Sequence, residues 1–309
     1  MRITTATAFE TSVNNLQSRQ QDLADSQNRL TSGKRVINAS DDPVAAARGE
    51  RALAAMVRSE ADQRALEASR NVTTQTEAAL GDATDLMQQA RELVVNAGNG
   101  SYSDSDRQTL ATSLKGIRDQ LLAVSNRTDG AGTYLFGGQG TQAPPFVDAP
   151  GGVVYQGAGG QTTVQSSEAL PMTVDGGQTW LQTPNPTAGG PPLSVFNTLD
   201  SIISDLNTPG RGGDQIKQTV TTGLSNIDAV TGSLTSARAA AGSTLNRQDT
   251  IESRISATKL AAQTERSNAT DLDMVQAISD FQNKQSGYDA ALKTYSTVQH
   301  LSLFQYISA

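Results

Sequence analysis

Stepping from Phe9 by four and three residues in turn reaches Val13, Leu16, Gln20, Leu23, Gln27 and Leu30. That spacing predicts an amphipathic helix with a heptad seam, its d positions all large and apolar. Stepping in the same way from Met274 reaches Ile278, Phe281, Gln285, Tyr288, Leu292 and Tyr295, a second seam interrupted by a glutamine. Seams of about three heptads are marginal in water on their own. Each buried, unsatisfied amide weakens them by a further ~1 to 3 kcal/mol. The pattern therefore predicts terminal helices ordered mainly by partners, with mutual packing of the two seams inside one monomer as the alternative.

Between the ends, helical periodicity continues. Asp42 is a plausible N-cap with Pro43 at the first helical position, and residues 44–97 contain no proline while carrying Leu53, Val57, Leu66, Leu80, Met87 and Val94. Such a run makes a rod of about 80 Å, whereas a compact globule of this length is only about 50 Å across, so an elongated molecule is expected. A further helix starts at Ser103, with Asp106 three residues on as a capping-box variant, and repeats at Leu110, Leu114, Ile117, Leu121 and Val124. A short helix is expected at 193–207. A second long run at 214–268, with Ile216, Val220, Ile227, Leu234, Ala241, Ile251 and Ile255, should pack antiparallel to the first.

The middle of the chain breaks this pattern. Residues 128–210 hold no Lys or Arg but six acids, Asp129, Asp148, Glu168, Asp175, Asp200 and Asp205, and residues 128–213 hold nine of the 10 prolines and 17 of the 27 glycines. Short β-branched and aromatic segments at 133–136, 152–155, 162–165 and 172–174 read as strands. Asp175-Gly-Gly177 reads as a turn before Thr179-Trp-Leu181, and 183–192 as an exit linker. The predicted fold class is mainly α: an elongated helical bundle or coiled coil built from both chain ends, with a small β-rich insert. The expected domains are a terminal helical assembly domain (1–32 and 272–309), a helical rod (33–132 and 193–271) and a β-rich insert (133–192).

Composition narrows the chemistry. Zero cysteines among 309 residues remove thiolate metal sites, redox pairs and disulfides, and the single histidine, His300, removes metal sites needing two imidazoles. A net charge of -7 argues against nucleic acid and anionic membranes as partners. No apolar run approaches the roughly 18 residues of a membrane span, and the first twenty residues lack the apolar core of a cleaved signal peptide. Gly138-x-Gly140-x-x-Ala143 fits a dinucleotide fingerprint formally, but Pro144-Pro145 follows where a helix must open. Gly33-Lys34 lacks the rest of a phosphate loop, and Asp104, Asp106, Asp271 and Asp273 fit helix starts better than a calcium loop. Tyr155 and Trp180 could be stacking platforms for a carbohydrate, with a core role preferred. No catalytic, cofactor or metal residue is expected, and the chain reads as no enzyme.

Thr31-Ser-Gly-Lys-Arg-Val-Ile-Asn-Ala-Ser-Asp-Asp-Pro-Val-Ala-Ala46 resembles the N-terminal signature of the bacterial flagellin superfamily. Asn99–Arg107, the runs 118–122 and 128–137, and the terminal Leu301-Ser-Leu-Phe-Gln305 are similar to its hook-associated branch. Filament subunits usually continue Asp-Asp-Ala-Ala-Gly where this chain has Pro43, and their C-terminal seam is more aliphatic than Phe281, Tyr288 and Tyr295. The resemblance implies a subunit exported unfolded without a cleaved signal peptide, extracellular on the flagellum, joining hook to filament, with the 133–192 insert facing outward. It implies as partners a hook-side junction protein, flagellin, further copies of itself in a ring, and an export chaperone. The expected assembly interface is Phe9, Val13, Leu16, Leu23, Leu30, Met274, Ile278, Phe281, Tyr288, Leu292, Tyr295, Leu303 and Phe304. Lys34, Arg35, Asp41, Asp42 and Pro43 are the expected hinge and cap. A filament subunit, or from another class a coiled-coil adhesin that does not need intact chain ends, are the alternative readings.

Overall fold

The computed structural model describes residues 2–307 apart from Ser167, with side chains described from Thr7 to Thr297 apart from Ala8, Gln165 and Ser167. Seven helices dominate: α1 Arg2–Ser32, α2 Pro43–Ala97, α3 Asp104–Ser125, α4 Gly176–Leu181, α5 Val195–Asn207, α6 Gly213–Thr270 and α7 Met274–Ile307. Local chemistry sets their starts. The Asp42 carboxylate accepts from the Ala45 amide at 3.0 Å, with Pro43 as the first residue of α2. At α3 the Ser103 hydroxyl accepts from the Asp106 amide while the Asp106 carboxylate accepts from the Ser103 amide at 2.9 Å, the reciprocal capping box that the sequence predicts.

The chain divides into two compact units. One comprises residues 1–59 and 256–309, and the other residues 60–255. Both long helices pass through the division. In the second unit α2 and α6 run antiparallel, as ion pairs fix: Arg70 to Asp249 and Glu252, Glu77 to Arg238, and Arg91 to Asp228. Higher numbers on α2 meet lower numbers on α6. In the first unit, Arg48 meets Glu265 at 2.8 Å in the same sense.

The main core of the second unit lies where α3 and α5 cover the α2–α6 pair. Leu80, Met87 and Val94 of α2, Leu114 and Leu121 of α3, Phe196 and Leu199 of α5, and Ile227 and Leu234 of α6 are all buried there. The predicted α3 stripe is the face that packs, with Leu110 at its partly buried edge.

The insert is two small antiparallel hairpins and a helical turn. β1 Phe146–Ala149 pairs with β2 Gly152–Tyr155, and β3 Thr163–Gln165 pairs with β4 Ala169–Pro171. Several expected elements are corrected. Thr133–Phe136 is no continuous strand: Tyr134 makes a single antiparallel bridge with Thr128, and Leu135 and Phe136, both buried, form a turn in which the alternation of a strand is lost. Residues 172–174 pair with two different partners, Met172 donating to Thr162 and Val174 to Leu135, so the strand is displaced to Ala169–Pro171. Asp175-Gly-Gly177 is no turn before a strand. Asp175 caps α4, accepting from the Gln178 amide at 3.1 Å, and Thr179-Trp-Leu181 is helical. After Gly140 the chain runs through turns into β1, so the dinucleotide-like spacing opens no helix.

Trp180 is fully buried, edge-on to Phe136 and stacked on Phe196 of α5 with centroids 6.0 Å apart. It is core. Tyr155 packs against Phe146 and donates from its hydroxyl to the Phe136 carbonyl. The acids between residues 128 and 210 are bonded. Asp148 of β1 and Asp200 of α5 both hold the buried Arg118 of α3, Glu168 pairs with Arg254 of α6, and Asp205 pairs with Arg211. Asp129 accepts from the Ala131 and Thr133 amides.

Candidate assembly surface

In the first unit, the two terminal helices lie side by side. The Phe9 and Tyr295 rings are 5.8 Å apart between centroids, and the Arg19 guanidinium sits so close to Gly287 that an added Cβ would lie 2.9 Å from it. The early part of α1 thus meets the late part of α7, and the pair is antiparallel. The two predicted seams do turn towards each other.

They do not bury each other. Along α1 only Ser26, and along α7 only Ala277, is buried among the described residues. Val13, Leu16, Leu23, Leu30, Phe281, Tyr288 and Tyr295 are half-buried, while Phe9 (50%), Met274 (44%), Ile278 (46%) and Leu292 (41%) remain exposed. Val275, outside the heptad seam, is 83% exposed and extends the apolar edge made by Met274 and Ile278. Its neighbour at one residue's spacing hid it from the heptad count. A pair of helices cannot enclose its own seam as a three-element core does, and large side chains are left facing water. Leu303 and Phe304 lie outside the described side chains.

The break between α1 and α2 is a bonded elbow. Gly33 takes a φ of +66°, a left-handed conformation that ends α1 without strain. Its carbonyl accepts from the Leu272 amide at 3.0 Å, and the Arg35 amide donates to the Thr270 carbonyl at 2.8 Å, so Lys34 pairs with Asp271 as a single antiparallel bridge. Arg35 serves two helix ends: its guanidinium donates to the Ala269 carbonyl in the last turn of α6 at 2.8 Å and meets Asp42, the cap of α2, at 3.3 Å. A cation at a helix C-terminus and an anion at an N-terminus each oppose the local end of the helix dipole. The Asp41 carboxylate accepts from the Asn38 and Ile37 amides at 2.9 and 3.0 Å.

Those bonds hold both carboxyls below the ordinary aspartate range. For Asp41 the Asn38 amide is the main cause, then that of Ile37, and for Asp42 the Ala45 amide outweighs opposing desolvation, with Arg35 adding to it. A depressed folded pKa contributes stability that is present above the unfolded pKa and lost as pH falls through the folded one. Amide exchange at Ile37, Asn38 and Ala45 is therefore expected to accelerate beyond the intrinsic pH trend below the usual aspartate range. An Asp42→Ala chain should already show the fast Ala45 exchange at neutral pH, and Asp42→Asn, which keeps an acceptor, much less of it.

Residues 3–141 match the family model for the bacterial flagellin N-terminal helical region. With helices from both chain ends paired and two long antiparallel helices beyond them, the fold defines a flagellin-like helical subunit. Full-length similarity then separates the branches. Flagellin 1 of Proteus mirabilis is 30% identical over only 41% of this chain and 34% of its own length. Flagellar hook-associated protein 3 of Salmonella typhimurium is 34% identical over 99% of both chains. This chain belongs to the flagellar hook-associated protein 3 family. In fold it is similar to the solved structure of a putative flagellar hook-associated protein from Vibrio parahaemolyticus, at a TM-score of 0.64 and 20% identity over 75% of this chain and 100% of that one.

Proposed function

We propose that this chain is a structural subunit of the flagellar axis that joins hook to filament, and that α1 and α7 complete their burial only against neighbouring subunits. The observation that carries the reading is the α1–α7 pair, in which five large apolar side chains stay between 41% and 83% exposed. Fully burying a side chain of this kind is worth roughly 1.5 to 3 kcal/mol. Several together offset the ordering of part of a helix, which costs ~1 to 2 kcal/mol per residue in backbone entropy. Neighbouring copies in a ring, a hook-side junction protein and flagellin are the partners that would supply the missing surface. An export chaperone would cover the same seams before assembly, and the chain would work outside the cell without a cleaved signal peptide.

In this reading Lys34, Arg35, Asp41, Asp42 and Pro43 fix the direction in which the terminal pair leaves the rest of the subunit. Templated burial delays polymerisation until an end is available to cover the seams. Hydrogen exchange by mass spectrometry tests this on the full chain, alone and with isolated flagellar hooks. Peptides from 1–32 and 272–309 should exchange fast in the free protein and become protected on hooks. Ends that are already protected and indifferent to hooks would leave the seams satisfied within one chain and sink the proposal.

A further inference from the structure

The second unit has two apolar clusters. The larger extends along α2 from Val72 to Ala97 and includes Ile227, Val230 and Leu234 of α6. The smaller consists of Leu66, Leu170, Ile251 and Ile255, each at most 5% exposed. Between Leu234 and Ile251 the one buried residue of α6 is Gln248, and the buried residues of α2 at this level include Ser69, Thr73 and Thr76. A mainly polar layer, with Val72 at its edge and the half-buried Leu245 beside it, therefore lies between the clusters.

Its bonding is incomplete. The Gln248 side-chain amide donates to the Ser69 and Thr73 hydroxyls at 2.9 and 3.3 Å, but Gln248 Oε1 and Thr76 Oγ1 are buried without a hydrogen-bond partner. Unpaired polar atoms away from water favour any motion that lets water in. The ion pairs flanking the layer, Arg70 with Asp249 and Glu252, are on the surface and hold little by themselves.

One segment spans this layer from outside. At the hairpin's end Leu170 is fully buried among Leu66, Ile251 and Ile255, and Glu168 pairs with Arg254. At the layer itself the Ser69 hydroxyl donates to the Pro171 carbonyl at 2.6 Å. Beyond it Thr173 donates from its hydroxyl to Gly138, and the Val174 amide donates to Leu135 of the main core at 2.8 Å. Residues 168–174 are thus fastened on both sides of this layer.

We propose that Ser69, Thr73, Thr76 and Gln248 form a joint in the α2–α6 pair, and that the β3–β4 hairpin is the strap that holds it closed. With the strap lifted, Leu66, Ile251 and Ile255 lose their cover, and the contacts at this level are mainly hydroxyl and amide ones, which water can replace. The insert is then a brace for the helix pair. This inference stands apart from the hook–filament reading, because it concerns the free monomer.

Hydrogen exchange on the full-length monomer decides it. Leu170→Asp is expected to speed exchange about tenfold or more in peptides covering 62–72 and 246–256 while those covering 83–95 and 112–122 stay unchanged, the signature of a local opening. Gln248→Leu should slow exchange in the first two windows by about threefold or more, since the Ser69 and Thr73 hydroxyls keep their acceptors on Pro171 and Ser69. Acceleration that spreads evenly through all four windows in Leu170→Asp would show one uniform core and overturn the joint. Should that variant not fold, Gln248→Leu decides alone: slower exchange confined to the layer supports the joint, and no slowing overturns it.

Discussion

Replacing Asp148 and Asp200 together with alanine is expected to cost the second unit about 3 kcal/mol, the low end of what breaking a buried ion pair costs. The reason is the asymmetry of the site. Arg118 is buried, stacked 5.8 Å from the centre of the Phe196 ring, and bonded to Asp148 at 2.7 Å through Nη1 and to Asp200 at 3.0 Å through Nε. Both carboxylates keep solvent contact. Removing them strands a guanidinium in the interior, with Asp119 at 3.6 Å as its remaining counter-charge, which keeps the loss moderate. Arg118→Met removes the cation and leaves two carboxylates that water can solvate, so it should cost less than the double variant. The buried Trp180, the only tryptophan, reports the transition by fluorescence in urea. Equal losses in the two variants would mean that packing of the arginine stem, and not its charge, secures the insert. Acid tests the same contact. Arg118 holds the Asp148 carboxyl below the usual aspartate range against opposing desolvation. Its contribution is complete above the unfolded pKa and disappears as pH falls through the folded one.

The second large effect belongs to assembly. Val275→Asp combined with Ile278→Asp should weaken binding to isolated hooks by about a hundredfold or more, since two buried apolar side chains are worth roughly 3 to 6 kcal/mol and each 1.4 kcal/mol is tenfold. The free chain should change little in helix content and unfolding midpoint, because Val275 is 83% exposed and nearly half of Ile278 already faces water. Co-sedimentation with hooks, beside circular dichroism of the monomer, reads the two outcomes separately. Undiminished hook binding would remove α7's exposed edge from the interface. Phe9→Ala should behave differently, loosening the contact with Tyr295 in the free chain as well.

The helices were legible in the sequence where side chains alone decide them. Asp42 with Pro43, the Ser103–Asp106 box and the α3 stripe are local signals, and local hydrogen bonds realise them. The insert was less legible because its elements answer to distant partners. Val174 gives its amide to Leu135, across the chain, so 172–174 cannot continue the β4 ladder despite its β-branched residues. β1 escaped notice because Asp148, which looks like a turn residue, is in a strand to reach Arg118. At the candidate site the heptads mark positions that are half-buried or exposed on α1 and α7, yet how far they remain open depends on how much surface two helices can cover. The role of Arg35 was visible only as a charge in a bend. Its bond to Ala269 spans a separation of 234 residues that no spacing rule encodes.

The arginines that receive the insert have a consequence for exchanging parts between related chains. Residues 133–192 look like a cassette, yet the sockets for Asp148 and Glu168 are Arg118 and Arg254, and the donor for Pro171 is Ser69, all on helices outside it. Transplanted alone onto another rod, the cassette would arrive with its anchors unmatched. The transferable module is a discontinuous one: the insert together with three helix positions that lie outside it in the chain.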